Sequence, residues 1–437
     1  MSALETIVAP ATPHGRGALA IVRIDGPLSL GILMALTRAA APAARHAALA
    51  EIHLGDDLLD ECIAIRYDAP HSFTGNDLVE LTLHGNPLLV ERVLEACVAL
   101  GARIAEPGEF TERAVLNGKM DLVQAESIAD LINARTTLQA KLSLSNLDGA
   151  LSRKATAIRQ TLLDVISRLE AALDFSEEGY EFIKRDEARA RIAAALRDAN
   201  ALSETYRRGR ATTAGLSAVI LGRPNAGKST LLNRLVGSDR AIVTPVPGTT
   251  RDIVRETIEI GGLPVTLADT AGLRESADLV EGIGIERARE AARHADVVLY
   301  LVDAVTGVTE EDARECKALG EDVLVIHTKA DLASAPGLSI SAVTGHGIDE
   351  LLRRLDELVR ERFAAPEGAL VNERQRVAVA ECAAALEAAL AAIDAGLDEQ
   401  MIVVDLSRAA TALGVLVGAI TREDVLAEIF GKFCIGK

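Results

Sequence analysis

The stretch that decides the fold is Gly222-Arg223-Pro224-Asn225-Ala226-Gly227-Lys228-Ser229-Thr230, which fits the phosphate-binding pattern G-x-x-x-x-G-K-[ST] without a mismatch. An apolar run at 216–221 precedes it and a run with helical spacing at 231–235 follows, so the loop joins a strand to a helix. Its glycines let backbone N–H groups turn towards phosphate oxygens, at the positive end of the helix dipole. In this pattern Lys228 reaches the outer phosphates and the Ser229 hydroxyl holds Mg²⁺. The stretch therefore predicts a site for a nucleoside triphosphate.

The composition limits the classes of protein that remain. A chain of 437 residues is long enough for about two to four domains. The formal net charge of −18 argues against a protein that coats nucleic acid through bulk charge, and it leaves room only for a local basic patch. Aromatic residues make up 3% of the chain, so platforms that stack single-stranded bases are not expected.

The cysteines and the apolar segments bear on the compartment. The five cysteines are scattered and never form a C-x-x-C pair, so neither a disulfide framework nor a zinc site is indicated. The N-terminus lacks the pattern of a signal peptide, and the longest uncharged apolar run, 409–420, is too short to span a bilayer. We therefore expect a soluble, cytoplasmic protein.

Residues 1–119 are predicted to form a mixed α+β domain. Strand-like runs with alternating or β-branched residues occur at 18–24, 62–67 and 78–83, and a helix is predicted at 87–100. Arg23 and Glu80 are charges within two of these apolar strands. The default interpretation places them on solvated faces of half-buried strands.

The rest of the chain is predicted to form two further domains. Residues 211–370 alternate apolar strands with helices, as a parallel sheet requires. Residues 120–210 and 371–437 are alanine-rich and helical, and they are predicted to be two parts of one discontinuous all-α domain. The nucleotide-binding domain is then an insertion between them.

Four short motifs follow the phosphate loop in the order that a GTP-binding protein needs. They are Gly248-Thr249-Thr250-Arg251-Asp252, Asp269-Thr270-Ala271-Gly272, Thr328-Lys329-Ala330-Asp331 and Ser341-Ala342-Val343-Thr344-Gly345. A threonine of the first motif can close on Mg²⁺ and the γ-phosphate, the Asp269 carboxylate can hold a Mg²⁺-bound water, and the Gly272 N–H can sense the γ-phosphate. Loss of that phosphate would release both loops. Asp331 can accept two hydrogen bonds from guanine, so GTP is favoured over ATP.

Two positions depart from the usual pattern. Thr328 stands where the base-reading motif normally begins with Asn, and a hydroxyl in place of an amide predicts lower nucleotide affinity. Guanine selectivity should survive because Asp331 remains. Leu273 stands where Ras-like switches carry a Gln that orients water. Because leucine cannot polarise water, either the protein hardly hydrolyses GTP or the catalytic groups come from elsewhere.

Together with the two ends of the chain, these motifs resemble the tRNA-modifying GTPases of the TrmE-Era-like family over the whole length. The further residues that carry the resemblance are Thr6-Ile7-Val8-Ala9, Gly15-Arg16-Gly17, Pro107-Gly108-Glu109-Phe110-Thr111-Glu112-Arg113-Ala114, Asn117-Gly118-Lys119-Met120-Asp121-Leu122 and Phe433-Cys434-Ile435-Gly436-Lys437. The resemblance implies a Ras-like P-loop G domain inserted in an all-α helical domain. It also implies that the α+β domain is of the tetrahydrofolate-binding type and forms a homodimer.

The motifs and the resemblance give a full set of nucleotide-site residues. GTP is predicted to contact Asn225, Ala226, Gly227, Lys228, Ser229, Thr230, Thr244, Thr249, Thr250, Asp269, Thr270, Ala271, Gly272, Thr328, Lys329, Asp331, Ser341 and Ala342. The resemblance implies that Ser229 and Thr250 hold Mg²⁺. It implies that K⁺ replaces the charge of an arginine finger when two G domains pair, with the ligands Asn225, Thr244, Val246 and Thr249. Glu281 is implied to act in catalysis through a bridging water.

The resemblance implies a second site in the N-terminal domain. Arg23, Glu80, Lys119 and Lys437 match positions that contact 5-formyltetrahydrofolate or a related tetrahydrofolate. The basic residues suit the glutamate tail of a folate, and a carboxylate can read a pterin ring. Cys434 matches the cysteine near which the modification chemistry is thought to occur.

The implied function is GTP-driven modification at C5 of uridine 34, the wobble position of certain tRNAs, by an aminomethyl or carboxymethylaminomethyl group. The family acts with an FAD-containing partner, MnmG (also called GidA), in a heterotetramer. One alternative is a regulatory GTPase of ribosome assembly, although such proteins commonly append a basic domain and residues 371–437 are not rich in basic residues. Another is a stand-alone folate-dependent transferase that the GTPase only regulates, and the sequence leaves this alternative open.

Overall fold

The computed structural model describes several ranges of the chain: 5–175, 182–237, 240, 255–269, 290, 292–320, 323–419, 426, 429–431, 433 and 435–436. The chain forms two compact units. The first comprises residues 1–129 with 410–437, and the second comprises residues 130–409. The predicted boundaries between the three domains stay a prediction.

A six-stranded sheet forms the centre of the first unit, with the strand order β3-β4-β5-β2-β1-β6. Its strands are β1 (Ile7–Pro10), β2 (Leu19–Asp25), β3 (Ala48–Leu54), β4 (Asp57–Tyr67), β5 (Leu78–His84) and β6 (Arg103–Ile104). Neighbours run antiparallel, apart from the parallel pair of β1 and β6. The predicted strands at 18–24, 62–67 and 78–83 are present as β2, β4 and β5, whereas β1, β3 and β6 were not predicted.

Helices pack against both faces of this sheet. The helices in this part of the chain are α1 (Ser29–Thr37), α2 (Pro87–Ala99), α3 (Glu109–Leu116) and α4 (Leu122–Asn133). Val22, Ile24, Val79 and Leu81 pack in one core with residues of α1 and α2, because alternate side chains of a strand point to the same face. The residues between them, including Arg23 and Glu80, point to the other face.

A buried polar network fixes the loops beside the second face. The Asp25 carboxylate is fully buried and accepts hydrogen bonds from Arg113 Nη1 at 2.8 Å, from Asn76 Nδ2 at 3.1 Å and from the Thr74 hydroxyl. Asn117 Nδ2 donates to the Thr74 carbonyl at 2.7 Å. A buried carboxylate needs such partners, because an unpaired buried charge is costly. The motifs around Arg113 and Asn117 therefore hold the loop between β4 and β5 in place.

The second unit combines long helices with a five-stranded sheet of order β11-β10-β7-β9-β8. Its strands are β7 (Leu216–Gly222), β8 (Arg255–Ile260), β9 (Leu263–Asp269), β10 (Val297–Asp303) and β11 (Val323–Thr328). The helices that follow α4 are α5 (Thr137–Leu147), α6 (Ala150–Asp174), α7 (Arg185–Glu204), α8 (Tyr206–Ala214), α9 (Lys228–Val236), α10 (Glu310–Leu319), α11 (Ile348–Phe363), α12 (Glu373–Asp394) and α13 (Glu399–Val417). The α/β pattern predicted for 211–370 is therefore present.

One strand of this sheet differs from the prediction of a parallel sheet. β8 pairs with β9 in the antiparallel direction, whereas β9, β7, β10 and β11 run parallel to one another. Gly261 and Gly262 form the turn with φ of 62° and 86°, which a two-residue hairpin turn of this kind requires. An antiparallel strand at the edge of an otherwise parallel sheet is common.

The helices before and after the sheet pack against each other. α12 packs along α7, and Arg189 Nε lies 2.7 Å from Asp394 Oδ1 across that contact. Both helices are rich in small buried side chains, among them Ala195 and Ala385. This contact is compatible with the predicted discontinuous helical domain.

One described helix is long and apolar enough to cross a membrane, judged by length and composition alone. It is α13, and 44% of its most apolar window is buried within the protein. Core helices pass the same test, so this finding is weak evidence for a membrane span.

Candidate nucleotide-binding site

The phosphate loop takes the backbone conformation that its glycines allow. Gly222 ends β7 with φ of 140°, and a Cβ there would lie 2.4 Å from the Leu301 carbonyl oxygen of β10. Gly227 precedes α9 with φ of 91°, and Asn225 is also left-handed with φ of 63°. Only glycine is comfortable at the first two positions, so the loop needs both.

The lysine and the helix start give the loop its affinity for an anion. Lys228 Nζ donates to the carbonyl oxygens of Gly222 and Arg223, both at 2.8 Å, so the ammonium group lies over the loop. α9 begins at Lys228, which places Ser229 and Thr230 in its first turn. The first N–H groups of a helix lack intrahelical acceptors and favour a phosphate. This geometry suits the outer phosphates of a nucleotide.

Thr328 connects the phosphate loop to the base side of the site. It ends β11, is 4% exposed, and its hydroxyl donates to the Ala226 carbonyl oxygen at 2.8 Å. The Val302 carbonyl oxygen lies farther away at 3.3 Å. Thr328 thus holds the phosphate loop directly, a contact that the sequence did not indicate.

The two loops predicted for the base side are adjacent. The Ile340 N–H donates to the His327 carbonyl at 2.7 Å, and the Ala330 N–H donates to the Ile340 carbonyl at 3.0 Å. Ser341 is fully buried and its hydroxyl accepts from the Thr344 N–H at 3.2 Å, while Asp331 is exposed. Ala342 follows in the same half-buried loop. The Asp331 carboxylate is therefore accessible to a base.

Lys329 follows Thr328 directly and belongs to the first of the two base-side loops. Its backbone is left-handed with φ of 60°, and its Nζ is 2.6 Å from Asp303 Oδ2 at the end of β10. Burial would raise the pKa of the Asp303 carboxyl, but the hydrogen bond from Lys329 and those from the following backbone lower it below its usual value. The pair holds the aliphatic stem of Lys329 beside the base-side loops.

Part of the predicted site lies outside the described residues. These positions are Thr244, Val246, Thr249, Thr250, Thr270, Ala271, Gly272, Leu273, Glu281, Cys434 and Lys437. Asp269 ends β9 in register with Ile220 of β7, next to the strand that leads into the phosphate loop. Within the described ranges no three His, Cys, Asp or Glu side chains form a metal-binding group. The Ser229 hydroxyl suits Mg²⁺, which takes few protein ligands and completes its shell with phosphate oxygens and water.

A second candidate site lies on the face of the first unit's sheet that carries Arg23 and Glu80. Arg23 and Glu80 are register partners on β2 and β5, and Arg23 Nη2 lies 2.7 Å from Glu80 Oε1. Their side chains are only 14% and 20% exposed, so the default interpretation of solvated charges is wrong. The Arg23 guanidinium lies 5.1 Å from the centre of the Phe73 ring, and the Tyr67 hydroxyl is 3.4 Å from Glu80 Oε2. Burial and the nearby Glu80 raise the pKa of Tyr67.

Two further elements lie near this pair. Lys119 Nζ donates to the Pro70 carbonyl at 2.9 Å, on the loop that carries Phe73. A Cβ on Gly436 would lie 2.0 Å from the Pro10 carbonyl oxygen, so the C-terminal tail contacts the end of β1. Pro10 is in register with Val22, the residue before Arg23. Tyr67 and Phe73 were not predicted as site residues, although tyrosine and phenylalanine are rare in this chain.

Two family models match this chain. A family model described as the GTP-binding protein TrmE N-terminus matches residues 6–119, and one described as the MnmE helical domain matches residues 122–434. A tRNA modification GTPase MnmE from Koribacter versatilis is 42% identical and is matched over 99% of both chains. One from Aquifex aeolicus is 39% identical over 99% of this chain and 100% of its own, and one from Nitrosomonas europaea is 42% identical over 100% of both.

Among solved structures, Era from Aquifex aeolicus bound to GDP and AlF4⁻ is 27% identical over 39% of this chain and 66% of its own. Its TM-score is 0.27.

The phosphate loop, the tether at Thr328 and the paired base-side loops define a GTP-binding protein of the P-loop class. Relatives with about 40% identity over the full length then fix the family. The chain belongs to the MnmE family of tRNA modification GTPases.

Replacing Thr328 with valine tests the tether. Thr328→Val keeps the shape of the side chain but leaves the Ala226 carbonyl without its donor, which costs about 1–3 kcal/mol for a buried group. We predict that the Kd for GDP, measured by titration calorimetry with Mg²⁺, rises roughly 5- to 150-fold. Thr328→Ser keeps the donor and should bind within about twofold of the unaltered protein. Equal Kd values for the valine and serine variants would show that the hydroxyl does not hold the loop.

Proposed function

We propose that this protein hydrolyses GTP to drive modification at C5 of the wobble uridine, position 34, of certain tRNAs. The added group is aminomethyl or carboxymethylaminomethyl, and its carbon comes from a tetrahydrofolate. The observation that carries the proposal is the match, over 99% of the chain, to tRNA modification GTPases, joined to a formed nucleotide site. No observation favours a regulatory GTPase of ribosome assembly. The work would take place in the cytoplasm, where tRNA is found.

Cysteine chemistry supports a role for the C-terminal tail. The four described cysteines are free, and burial raises the pKa of Cys62, Cys97 and Cys382 to about 12 and that of Cys316 by less. A thiol acts as a nucleophile only when it is deprotonated, so these four are poor candidates at neutral pH. This leaves Cys434 as our candidate for a thiol near the modification chemistry.

Cells that lack the protein test the proposed function. We predict that mass analysis of their tRNA shows wobble uridine without the C5 group, and that the unaltered gene restores it. Cys434→Ser should fail to restore the group while its purified protein still hydrolyses GTP. Cys316→Ser, the same change at a thiol packed beside the core of the G domain, should restore it. Unchanged wobble uridine in the deletion would remove the proposal.

Because Leu273 cannot orient water, GTP hydrolysis needs catalytic groups from elsewhere. We propose that Asn225, Thr244, Val246 and Thr249 hold K⁺ and that Ser229 and Thr250 hold Mg²⁺. When bound, the two cations neutralise charge on the phosphate oxygens. Glu281 would act through a bridging water. The exposed position of Asn225 in the phosphate loop supports this assignment, since its side chain is accessible from solvent.

The monovalent cation gives a direct kinetic test. We predict that GTP turnover is at least about tenfold faster in K⁺ than in Na⁺, a barrier difference of about 1.4 kcal/mol. Asn225→Ala should reduce the rate in K⁺ to the rate in Na⁺. Asn233→Ala, an exposed asparagine of α9 outside the loop, should keep the full preference for K⁺. Equal rates in the two salts for the unaltered protein would rule out K⁺ as the charge source.

For the folate we propose the pair of Arg23 and Glu80 with Lys119 and Lys437. The donor set suits this ligand, because a carboxylate can read the pterin ring while basic groups pair with the glutamate tail. The Phe73 ring packs against the Arg23 guanidinium, and so it adds an aromatic side chain to the pair of Arg23 and Glu80. The contact of Gly436 with Pro10 supports the inclusion of the tail, because it holds the residue before Lys437 near β2. When bound, the folate supplies the one-carbon unit.

A binding titration with 5-formyltetrahydrofolate tests this site. Arg23→Gln removes a charge that is paired with Glu80, and charge-assisted hydrogen bonds are worth about 1.5–3 kcal/mol each. We predict that the affinity for the folate, measured by a fluorescence titration, falls at least about tenfold. Arg66→Gln is the matched control, because Arg66 is in register with Val79 and so points to the opposite face of the sheet. The site is assigned wrongly if the two variants bind the folate equally well.

The first unit also supports a homodimer. Leu19, Leu49 and Ile63 are 62%, 70% and 43% exposed, and register places all three on the face that carries Arg23. Exposed apolar side chains on one sheet face are typical of an interface. We propose that two copies pair through this unit and join two copies of the FAD-containing partner MnmG (GidA) as a heterotetramer. Sedimentation of the chain alone and of the mixture measures both masses.

A further inference from the structure

The distribution of charge along the chain is uneven. No aspartate or glutamate occurs between Glu204 and Asp239, the longest such interval in a chain of net charge −18. Three arginines, Arg207, Arg208 and Arg210, fall within four residues at its start. All three are exposed on α8. The acid-free interval thus begins with a local basic surface.

Arg207 and Arg210 line a groove of about 610 Å³ beside α8. The groove runs along the first residues of β7, past Thr266 of β9, to His294 and Asp296 at the start of β10. Because the two arginines are three residues apart on one helix, they lie on the same face. The groove is thus at the amino ends of the parallel strands, whereas the phosphate loop follows the carboxyl end of β7.

α8 packs closely against the 363–371 segment. A Cβ on Gly209 would lie 1.9 Å from the Leu370 carbonyl oxygen, so the helix backbone touches the 363–371 segment. The Thr212 hydroxyl lies 3.3 Å from the Phe363 carbonyl and 3.3 Å from the Ala365 N–H. The Arg207 guanidinium lies 5.5 Å from the centre of the Phe363 ring. Its planar group is therefore supported by an aromatic face.

The acidic groups near the groove are already engaged. Asp296 Oδ2 accepts from the Ser217 N–H and hydroxyl, both at 2.9 Å. Glu373 accepts from the Arg376 guanidinium and from the Tyr206 hydroxyl at 3.0 Å, and these contacts lower its pKa to about 2. Among the residues that the structure describes, Arg207 and Arg210 form no ion pair. Neither guanidinium is held by a carboxylate in the described ranges, although the charge of Arg210 also helps to lower the pKa of Glu373.

We propose that this groove, formed by α8 and the amino ends of β7, β9 and β10, binds the phosphate backbone of the tRNA. The proposal rests on the tRNA-modifying function proposed above. Guanidinium groups bind phosphate oxygens in a bidentate manner, and such contacts position a nucleic acid without reading its sequence. The acidic remainder of the protein repels RNA, which confines binding to the basic surface. The scarcity of aromatics also favours backbone contacts over base stacking.

The test is the salt dependence of tRNA binding by the full chain, alone and with its FAD-containing partner. A labelled tRNA transcript is titrated by fluorescence anisotropy between about 50 and 200 mM KCl. For Arg207→Gln/Arg210→Gln we expect an affinity at least about tenfold lower and a slope of log K against log salt that is shallower by about 1.5–2. Arg207→Lys/Arg210→Lys keeps the charge and should keep most of the slope.

Arg353→Gln/Arg354→Gln is the matched control. It makes the same charge change on α11, at two exposed arginines that both pair with Glu350, so slope and affinity should not change. Because the altered side chains are exposed, we expect every variant to fold, and the thermal unfolding midpoints check this.

An unchanged affinity and slope for the Arg207/Arg210 glutamine variant would overturn the proposal. So would a variant that binds tRNA normally and binds the FAD-containing partner weakly, because the groove would then be a protein contact. If the unaltered protein binds no tRNA and its deletion leaves wobble uridine unchanged, the proposed function itself fails. The two failures are therefore distinguishable.

Discussion

The hydrogen bond from the Thr328 hydroxyl to the Ala226 carbonyl is the contact on which the nucleotide site depends. It is buried, and a hydrogen bond at low dielectric is strong while an unpaired carbonyl there is costly. The same strand end pairs with the 338–341 segment through His327 and Ile340. One short element therefore sets both the position of the phosphate loop and that of the base-side loops.

A comparable constraint acts in the first unit. The buried Asp25 must be paired, and Arg113, Asn76 and Thr74 supply its partners. This network fixes the loop that carries Phe73, and Phe73 packs against the guanidinium of Arg23. The motif around Arg113 therefore helps to hold the loop that places Phe73 beside Arg23. Both candidate sites depend on buried polar groups that have few alternative partners.

The sequence predicted the phosphate loop, the order of its partner motifs and the main strands, because these features are local. It did not predict the pairing of Arg23 with Glu80, since that depends on a register between strands that are 57 residues apart. The hairpin at Gly261-Gly262 was not predicted, although two adjacent glycines are a local signal for such a turn. Thr328 was interpreted only as the loss of an amide, because the sequence does not reveal that the Ala226 carbonyl lies within reach of its hydroxyl. The residues that hold K⁺, and Glu281 with them, stay predictions.

The position of β7 links the two ends of the second unit. Its amino end lines the groove beside α8, and its carboxyl end leads into the phosphate loop. The strand is hydrogen-bonded to β9 and β10 on both edges, and Ala218 through Leu221 are buried. Such a strand does not stretch or bend on its own, since close-packed interiors transmit strain. The groove and the phosphate loop are therefore built on the two ends of one buried, hydrogen-bonded strand.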